Sequence, residues 1–275
     1  MKSHQIYKGF KQNNFDNRFF QNVEKLKLQG YFVIESVLTP EELHEISIKM
    51  DEIWDLQVAK HGKDFLKKIG DWGVARGLMQ HDSMFMNLIM NPTIIEYVDY
   101  LLGESAILNL QNGILLFPSK DHNQGRYHRD FAKDFISSKL LSVNALIAID
   151  EFTLENGATF FIPGTHTHEE MPSENFINEA ELQITASAGS IIFFDSLIWH
   201  KGGENKTANS RKAINQQYTR PFIKQQLDYP KMLNQLVEQE SKLAQKIGLW
   251  SVPPIGVDAY RVKDPTQRSY RSAQG

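Results

Sequence analysis

The chain contains no cysteine. That excludes a disulfide framework, a thiolate zinc centre and an iron–sulfur cluster, and it fits a reducing compartment. No apolar stretch approaches the roughly 18 residues a membrane-spanning helix needs. The first residues, Met1-Lys2-Ser3-His4-Gln5-Ile6-Tyr7, lack the apolar core of a signal peptide. A cytoplasmic location is the expectation. Charge of one sign is also missing: 30 Lys and Arg face 33 Asp and Glu, for a net charge of −3. Nucleic acids and acidic membrane surfaces usually demand a basic face, so neither is an expected partner. No internal repeat or low-complexity linker divides the sequence.

What is present is 275 residues with 41% hydrophobic and 23% charged content. These values suit one soluble domain spanning 1–275. Tyr31–Ile34 is a short apolar run after Gly30 and predicts a strand. Thr39 is a good helix cap and Pro40 suits the first helical turn, predicting a helix over 40–60. Asn91-Pro92 opens another, ending near Gly103. From there the texture turns β-like, with apolar runs at 106–118, 140–149, 159–162, 190–194 and 212–220 between turn signals. Met232, Leu233, Leu236, Val237, Leu243 and Ile247 recur at helical spacing. The expected architecture is mainly β: a core over 104–222, a helical region over 1–103, and a C-terminal helix and tail over 223–275. Many strands with few helices between them favour an antiparallel sandwich or barrel.

Four residues carry chemistry. His128 and Asp130, in Tyr127-His128-Arg129-Asp130, are two apart, so an extended segment points both to one face. A carboxylate with two imidazoles is the facial donor set of a non-haem Fe(II) oxygenase, which leaves three coordination positions open. His200, after Ile198-Trp199 and before Gly202-Gly203, sits at a strand end where it can supply the second imidazole. Arg211 begins a β-like run and suits two-pronged binding of a carboxylate. His166 and His168 are also two apart, but Pro163-Gly164 ahead of them reads as a turn, not a rigid strand.

These residues resemble the phytanoyl-CoA dioxygenase family, within the Fe(II)/2-oxoglutarate oxygenases. The likeness extends to Gly30–Ile34 with Leu38–Glu42, to Ala148–Asp150 with Glu155–Thr159 and Ile162–His166, and to Gly189–Asp195. It implies a double-stranded β-helix, a cupin-like jelly roll with the metal in its mouth. It implies Fe(II) on His128, Asp130 and His200, and 2-oxoglutarate held by Arg211, with O2 as the other co-substrate. Gln111, Asn144 and Thr159 are further candidates for the 2-oxoglutarate site, and Asn144 shares a strand face with Ser142. Several members carry a serine two residues after the distal histidine, where this chain has Gly202. Halogenating relatives replace the carboxylate ligand by a small residue, so Asp130 favours hydroxylation.

The substrate side is less legible. Asn109, Arg126, Tyr127, Phe131, Trp72 and Gln217 are the candidates. Arg126, Arg129 and Lys120 make the approach to His128 basic and suggest an anionic small molecule, although Asp121, Asp130 and Asp134 offset that charge. The polar segment 119–124 reads as a solvated loop, with a gating lid as the alternative. The expected activity is hydroxylation of a small metabolite or biosynthetic intermediate, with release of succinate and CO2. Two alternatives stand beside it: the same iron chemistry ending in desaturation, epoxidation or cyclisation, and a non-catalytic cupin-like binding protein. Oligomeric state is not legible.

Overall fold

Capping residues decide where the first helices begin. In the computed structural model, which describes residues 11, 13–118, 122–131, 136–233 and 235–261, the Asn17 side chain accepts the Phe19 N–H at the start of α1 (Arg18–Gln29). Gly30, left-handed at φ 90°, ends α1 and turns the chain into β1 (Tyr31–Ile34). Thr39 and Glu42 form a reciprocal capping box that opens α2 (Pro40–His61). Short elements follow: α3 (Lys63–Lys68), β2 (Val74–Arg76) and α4 (Met84–Ile89). Asn91 caps α5 (Pro92–Leu102). Then come β3 (Ile107–Leu116), β4 (Ser142–Ala148), β5 (Phe160–Phe161), α6 (Glu174–Ala180), β6 (Leu182–Gln183), β7 (Ile191–Asp195), β8 (His200–Lys201) and β9 (Arg211–Thr219).

The strands form two antiparallel sheets, a six-stranded one in the order β1-β7-β4-β9-β3-β2 and a three-stranded one in the order β6-β5-β8. The fold is thus mainly antiparallel β with flanking helices. It is cupin-like in its facing sheets, which do not close into a barrel. Alternation along each strand gives the large sheet two faces. One carries Phe32, Val143, Ala145, Ile147, Phe193, Ile214 and Tyr218 and packs on the helices through Met50, Trp54, Phe85, Ile94 and Val98. The other carries Leu146, Ala148, Ile192, Phe194 and Ala213 and packs on Phe161 of the small sheet and on Phe152. The Phe161 ring lies 5.1 Å from Tyr31 and 5.2 Å from Phe194.

Two expectations need correction. The strand expected at Tyr31–Ile34 is present as β1, but the region over 1–103 also holds an unexpected strand, β2, and the two form the edges of the large sheet. The expected C-terminal helix is broken into α7 (Tyr229–Leu233) and α8 (Lys242–Lys246), because Ser241 caps a new helix by accepting the Ala244 N–H. No helix among the described residues is long and apolar enough to cross a membrane. Lys120, Asp121, Asp134 and the tail from Val262 lie outside the described residues, as do 119–121 of the candidate lid.

Candidate metal centre

The two histidines face each other across a single antiparallel bridge. His128 N–H donates to the His200 carbonyl at 2.9 Å, and His200 N–H returns the bond at 3.1 Å. Asp130 N–H donates to the Ser196 carbonyl at 3.0 Å, which fixes the segment two residues further on. The side chains then converge. His128 Nε2 lies 3.5 Å from Asp130 Oδ1, and His200 Nε2 lies 3.8 Å from Oδ2. One donor atom from each of the three residues falls within 4.8 Å of the others.

The rest of each ring is committed. His128 Nδ1 lies 2.8 Å from the Arg126 carbonyl and His200 Nδ1 lies 3.0 Å from the Ile198 carbonyl. A carbonyl only accepts, so both Nδ1 atoms carry the proton and both Nε2 lone pairs are presented to the cluster. Burial pushes the His200 imidazole down to about 4, against the pull of Asp130. Burial alone would raise Asp130, but His200, His128 and Asn215 outweigh it and hold the carboxyl down at about 2. At neutral pH Asp130 is a carboxylate and His200 a neutral imidazole, the forms in which each can bind a divalent cation.

Asp130 is itself held by a polar frame. Asn144 Nδ2 donates to its Oδ2 at 2.8 Å and Asn215 Nδ2 does so at 3.3 Å. Gln217 donates to its backbone carbonyl at 3.1 Å. Behind Asn144, Ser196 donates to its Oδ1, and Ser142 bonds Ser196 at 2.7 Å. Arg129 points away from its neighbours. Its guanidinium donates to the Glu169, Thr165 and His168 carbonyls and stacks on Trp199, 4.7 Å from the ring centroid. It thereby ties the segment of His128 and Asp130 to the one that carries His200.

Arg211 opens onto the same pocket as the triad, with Thr159, Leu146, Phe194, Asn215 and Gln124. It is 5% exposed, its guanidinium carbon sits 3.8 Å from the Phe152 ring centroid, and its Nε and Nη1 have no partner among the described residues. Burial lowers its pKa to about 9, Asp150 resisting, so at neutral pH it is a buried and incompletely paired cation. Such a charge is costly without a counter-anion. The unsatisfied guanidinium and the His/Asp/His donors fit a divalent metal chelated by an anionic ligand whose far carboxylate reaches Arg211.

The sequence candidates divide. His128, Asp130, His200, Arg211, Asn144 and Thr159 come together, and Gln217 reaches Asp130 through its backbone. Gln111 does not join them: it lies on the helix-facing side of β3, donating to the Phe85 carbonyl at 2.8 Å. Asn109 sits at a register shift in β3 and donates to the Lys224 carbonyl. Tyr127 donates to Glu181, under the Lys201 ammonium. Arg126 is exposed and contributes its carbonyl, and Phe131 is half-buried. Trp72 lines a neighbouring cavity. His166 lies within a short 3-10 turn and His168 ends it, as the Pro-Gly signal predicts. Gly202 has a steric reason: a Cβ there would come within 3.0 Å of His122 Cε1 and 3.4 Å of Gln124. Sequence reasoning missed Asn215, Ser196 and Gln124. Asn215 was within reach, since it alternates in phase with Arg211 along β9.

The sequence pattern that defines "Phytanoyl-CoA dioxygenase (PhyH)" matches residues 26–213. The chain is 36% identical to "Uncharacterized protein Rv1501" of Mycobacterium tuberculosis, over 92% of this chain and 94% of that one. It is 26% identical to "Dioxygenase trt7" of Aspergillus terreus, over 84% and 83%. Among solved structures it is similar to the epimerase SnoN in complex with Fe3+, alpha ketoglutarate and nogalamycin RO, with a TM-score of 0.55 at 17% identity, over 73% of this chain and 83% of that one. That likeness is one of fold.

Proposed function

The chain belongs to the phytanoyl-CoA dioxygenase family and is an oxygenase of the Fe(II)/2-oxoglutarate type, and from that premise we propose that it hydroxylates a small metabolite or biosynthetic intermediate. The observation that carries the reading is Arg211, a buried guanidinium with unpaired nitrogens that opens onto the pocket of the His128/Asp130/His200 cluster.

The residues divide the work. His128 and His200 offer Nε2 because backbone carbonyls occupy their Nδ1 protons. Asn144 and Asn215 donate to Asp130 Oδ2 and leave Oδ1 toward His128. Arg211 neutralises and orients the distal carboxylate of 2-oxoglutarate, and Thr159 stands beside it as a hydroxyl donor. Leu146 and Phe194 make the wall apolar, which excludes water and strengthens the charge pairing. Iron, with 2-oxoglutarate and O2, supplies the oxidising chemistry, and the protein supplies geometry and a dry site. Retention of a carboxylate at Asp130 supports hydroxylation over halogenation.

Adding Fe(II) and 2-oxoglutarate without oxygen to the protein tests the co-substrate site. A visible charge-transfer band in the wild type, lost in His200→Ala and requiring far more 2-oxoglutarate in Arg211→Gln, is the expected result. No band in the wild type, with metal content unaffected by His200→Ala, would sink the reading. Once a substrate is found, a product heavier by one oxygen atom identifies hydroxylation, and loss of two hydrogens identifies desaturation.

A further inference from the structure

A second cavity of about 360 Å³ lies beside the metal pocket, a size typical of small-metabolite sites. The two share Ile114, Leu116 and Gln124 in their walls, so a molecule in one abuts the other. The floor of this second cavity is aromatic. Trp72 stacks on Phe117 at 5.3 Å with 27° between the rings, and Trp54 meets Trp72 edge-on at 5.1 Å. Its rim is cationic. Lys63 and Lys67, one turn apart on α3, place their Nζ atoms 5.2 and 5.7 Å from the Trp72 centroid. Among the described residues no acidic side chain lines the cavity, and neither lysine belongs to an ion pair.

The floor is also held in place. Gly73, at φ +84°, lets the turn press on β3, where a Cβ would stand 2.5 Å from the Leu115 carbonyl oxygen. Leu115 N–H donates to the Gly73 carbonyl at 2.8 Å. Arg76 and Asp71 close the same turn with two bonds of 2.7 and 2.8 Å. Trp72, half-buried, is therefore presented to the cavity on a braced turn. Core packing alone would not require an open cavity with an aromatic floor and two exposed lysines at its edge.

We propose that this cavity is the substrate chamber of the oxygenase, and that the substrate is an organic acid with a flat apolar body. The body packs against the Trp72–Phe117 stack, the acidic group draws Lys63 and Lys67 off the Trp72 ring, and the opposite end faces the shared wall of Leu116 and Gln124 toward the metal pocket. The inference rests on the oxygenase reading above for the identity of its neighbour. It identifies the acidic group as an oxyanion, carboxylate or phosphate.

The test uses 2-naphthoate, 2-naphthyl phosphate and neutral 2-naphthol as probes, titrated calorimetrically into the protein loaded with Fe(II) and 2-oxoglutarate without oxygen. Both anions are expected to bind more tightly than 2-naphthol and to shift the charge-transfer band. Lys63→Ala/Lys67→Ala should weaken the anions about tenfold and leave 2-naphthol unchanged, a difference that shrinks with added salt. Trp72→Ala should weaken all three. Whichever anion binds better names the acidic group. Anions that bind the double-lysine variant as tightly as the wild type would overturn the proposal, as would no binding at millimolar probe or binding that leaves the band unmoved. Failure of the oxygenase reading shows itself separately, as no band before any probe is added.

Discussion

The two faces of β9 treat buried charge in opposite ways. On the helix side, Lys212 is 9% exposed and its ammonium is answered by Asp51 and by Ser47 Oγ at 2.9 Å. On the same side Tyr218 Oη donates to the Ile89 carbonyl at 2.9 Å. One residue away on the pocket side, Arg211 is more deeply buried and keeps two unpartnered nitrogens. Lys246, another buried cation, is closed by Asp99 and by the Glu104 and Ala106 carbonyls. The fold can satisfy a buried cation where structure is the purpose. At Arg211 no side chain among the described residues supplies the anion, which supports the proposal that a ligand carboxylate does.

The largest effects belong to the pocket side. His200→Ala removes one of three donors and should lower Fe(II) affinity by more than about 100-fold. The thermal midpoint of the metal-free protein should fall only modestly, by the loss of the ring's packing on Phe194 and of its hydrogen bond to the Ile198 carbonyl. A collapse of the metal-free protein would mean that the cluster is a structural staple.

Next comes the direct contrast. Arg211→Met should weaken 2-oxoglutarate on the order of 100-fold while leaving the unloaded protein as stable or more so, since an uncompensated charge leaves the interior. Lys212→Met should do the reverse: a loss of about 1 kcal/mol of stability, with 2-oxoglutarate affinity intact. Paired denaturant melts and ligand titrations read both. Equal destabilisation by the two variants would erase the distinction between the faces.

This contrast also explains what was legible in the sequence. The metal triad and Arg211 could be read because they are rare side chains at a spacing that implies one chemistry. The amides were legible only in part, with Asn144 named and Asn215 missed, because an Asn or Gln on a strand is neutral evidence until the strand's phase is known. One residue of phase moves a side chain to the other face. Gln111 shows the cost: it lies on the face that meets Phe85, beyond a register shift between Leu108 and Leu110. Asn215 and Asn144 fall on the other face and meet Asp130. The strands and capped helices were legible from local signals. The breaking of the C-terminal helix was not, since apolar spacing continues across Ser241.

A carboxylate on β7, separated from β9 by β4, extends the rule to anions. Asp195 is 8% exposed, and burial pushes it up to about 6, against the Leu197 N–H bond and the charge of Arg129. Because the folded pKa is raised, its favourable contribution is complete below the unfolded value of about 4 and is lost as pH rises through 6. Asp195→Asn keeps the acceptor for Leu197 and should gain on the order of 2 kcal/mol at pH 7, an advantage that disappears below about pH 4. Melts across that range check it, and a gain that persists unchanged at pH 4 would remove protonation as its cause.

The smallest effect tests how tightly the pocket side is filled. Relatives with a serine at the position of Gly202 invite the expectation that Gly202→Ser would improve co-substrate binding. The geometry argues the opposite. The new Cβ would meet His122 Cε1 at 3.0 Å, and His122 is already engaged with the Gly203 carbonyl at 3.0 Å. The Gly202 N–H is committed to the Gln124 carbonyl at 2.6 Å, so the strand end cannot retreat without loosening Gln124, which lines both cavities. Gly202→Ser should therefore weaken 2-oxoglutarate, by about threefold, a cost near 0.7 kcal/mol. Titration against the charge-transfer band measures it. A tighter complex would mean that His122 yields easily and that the pocket has room the packing does not suggest.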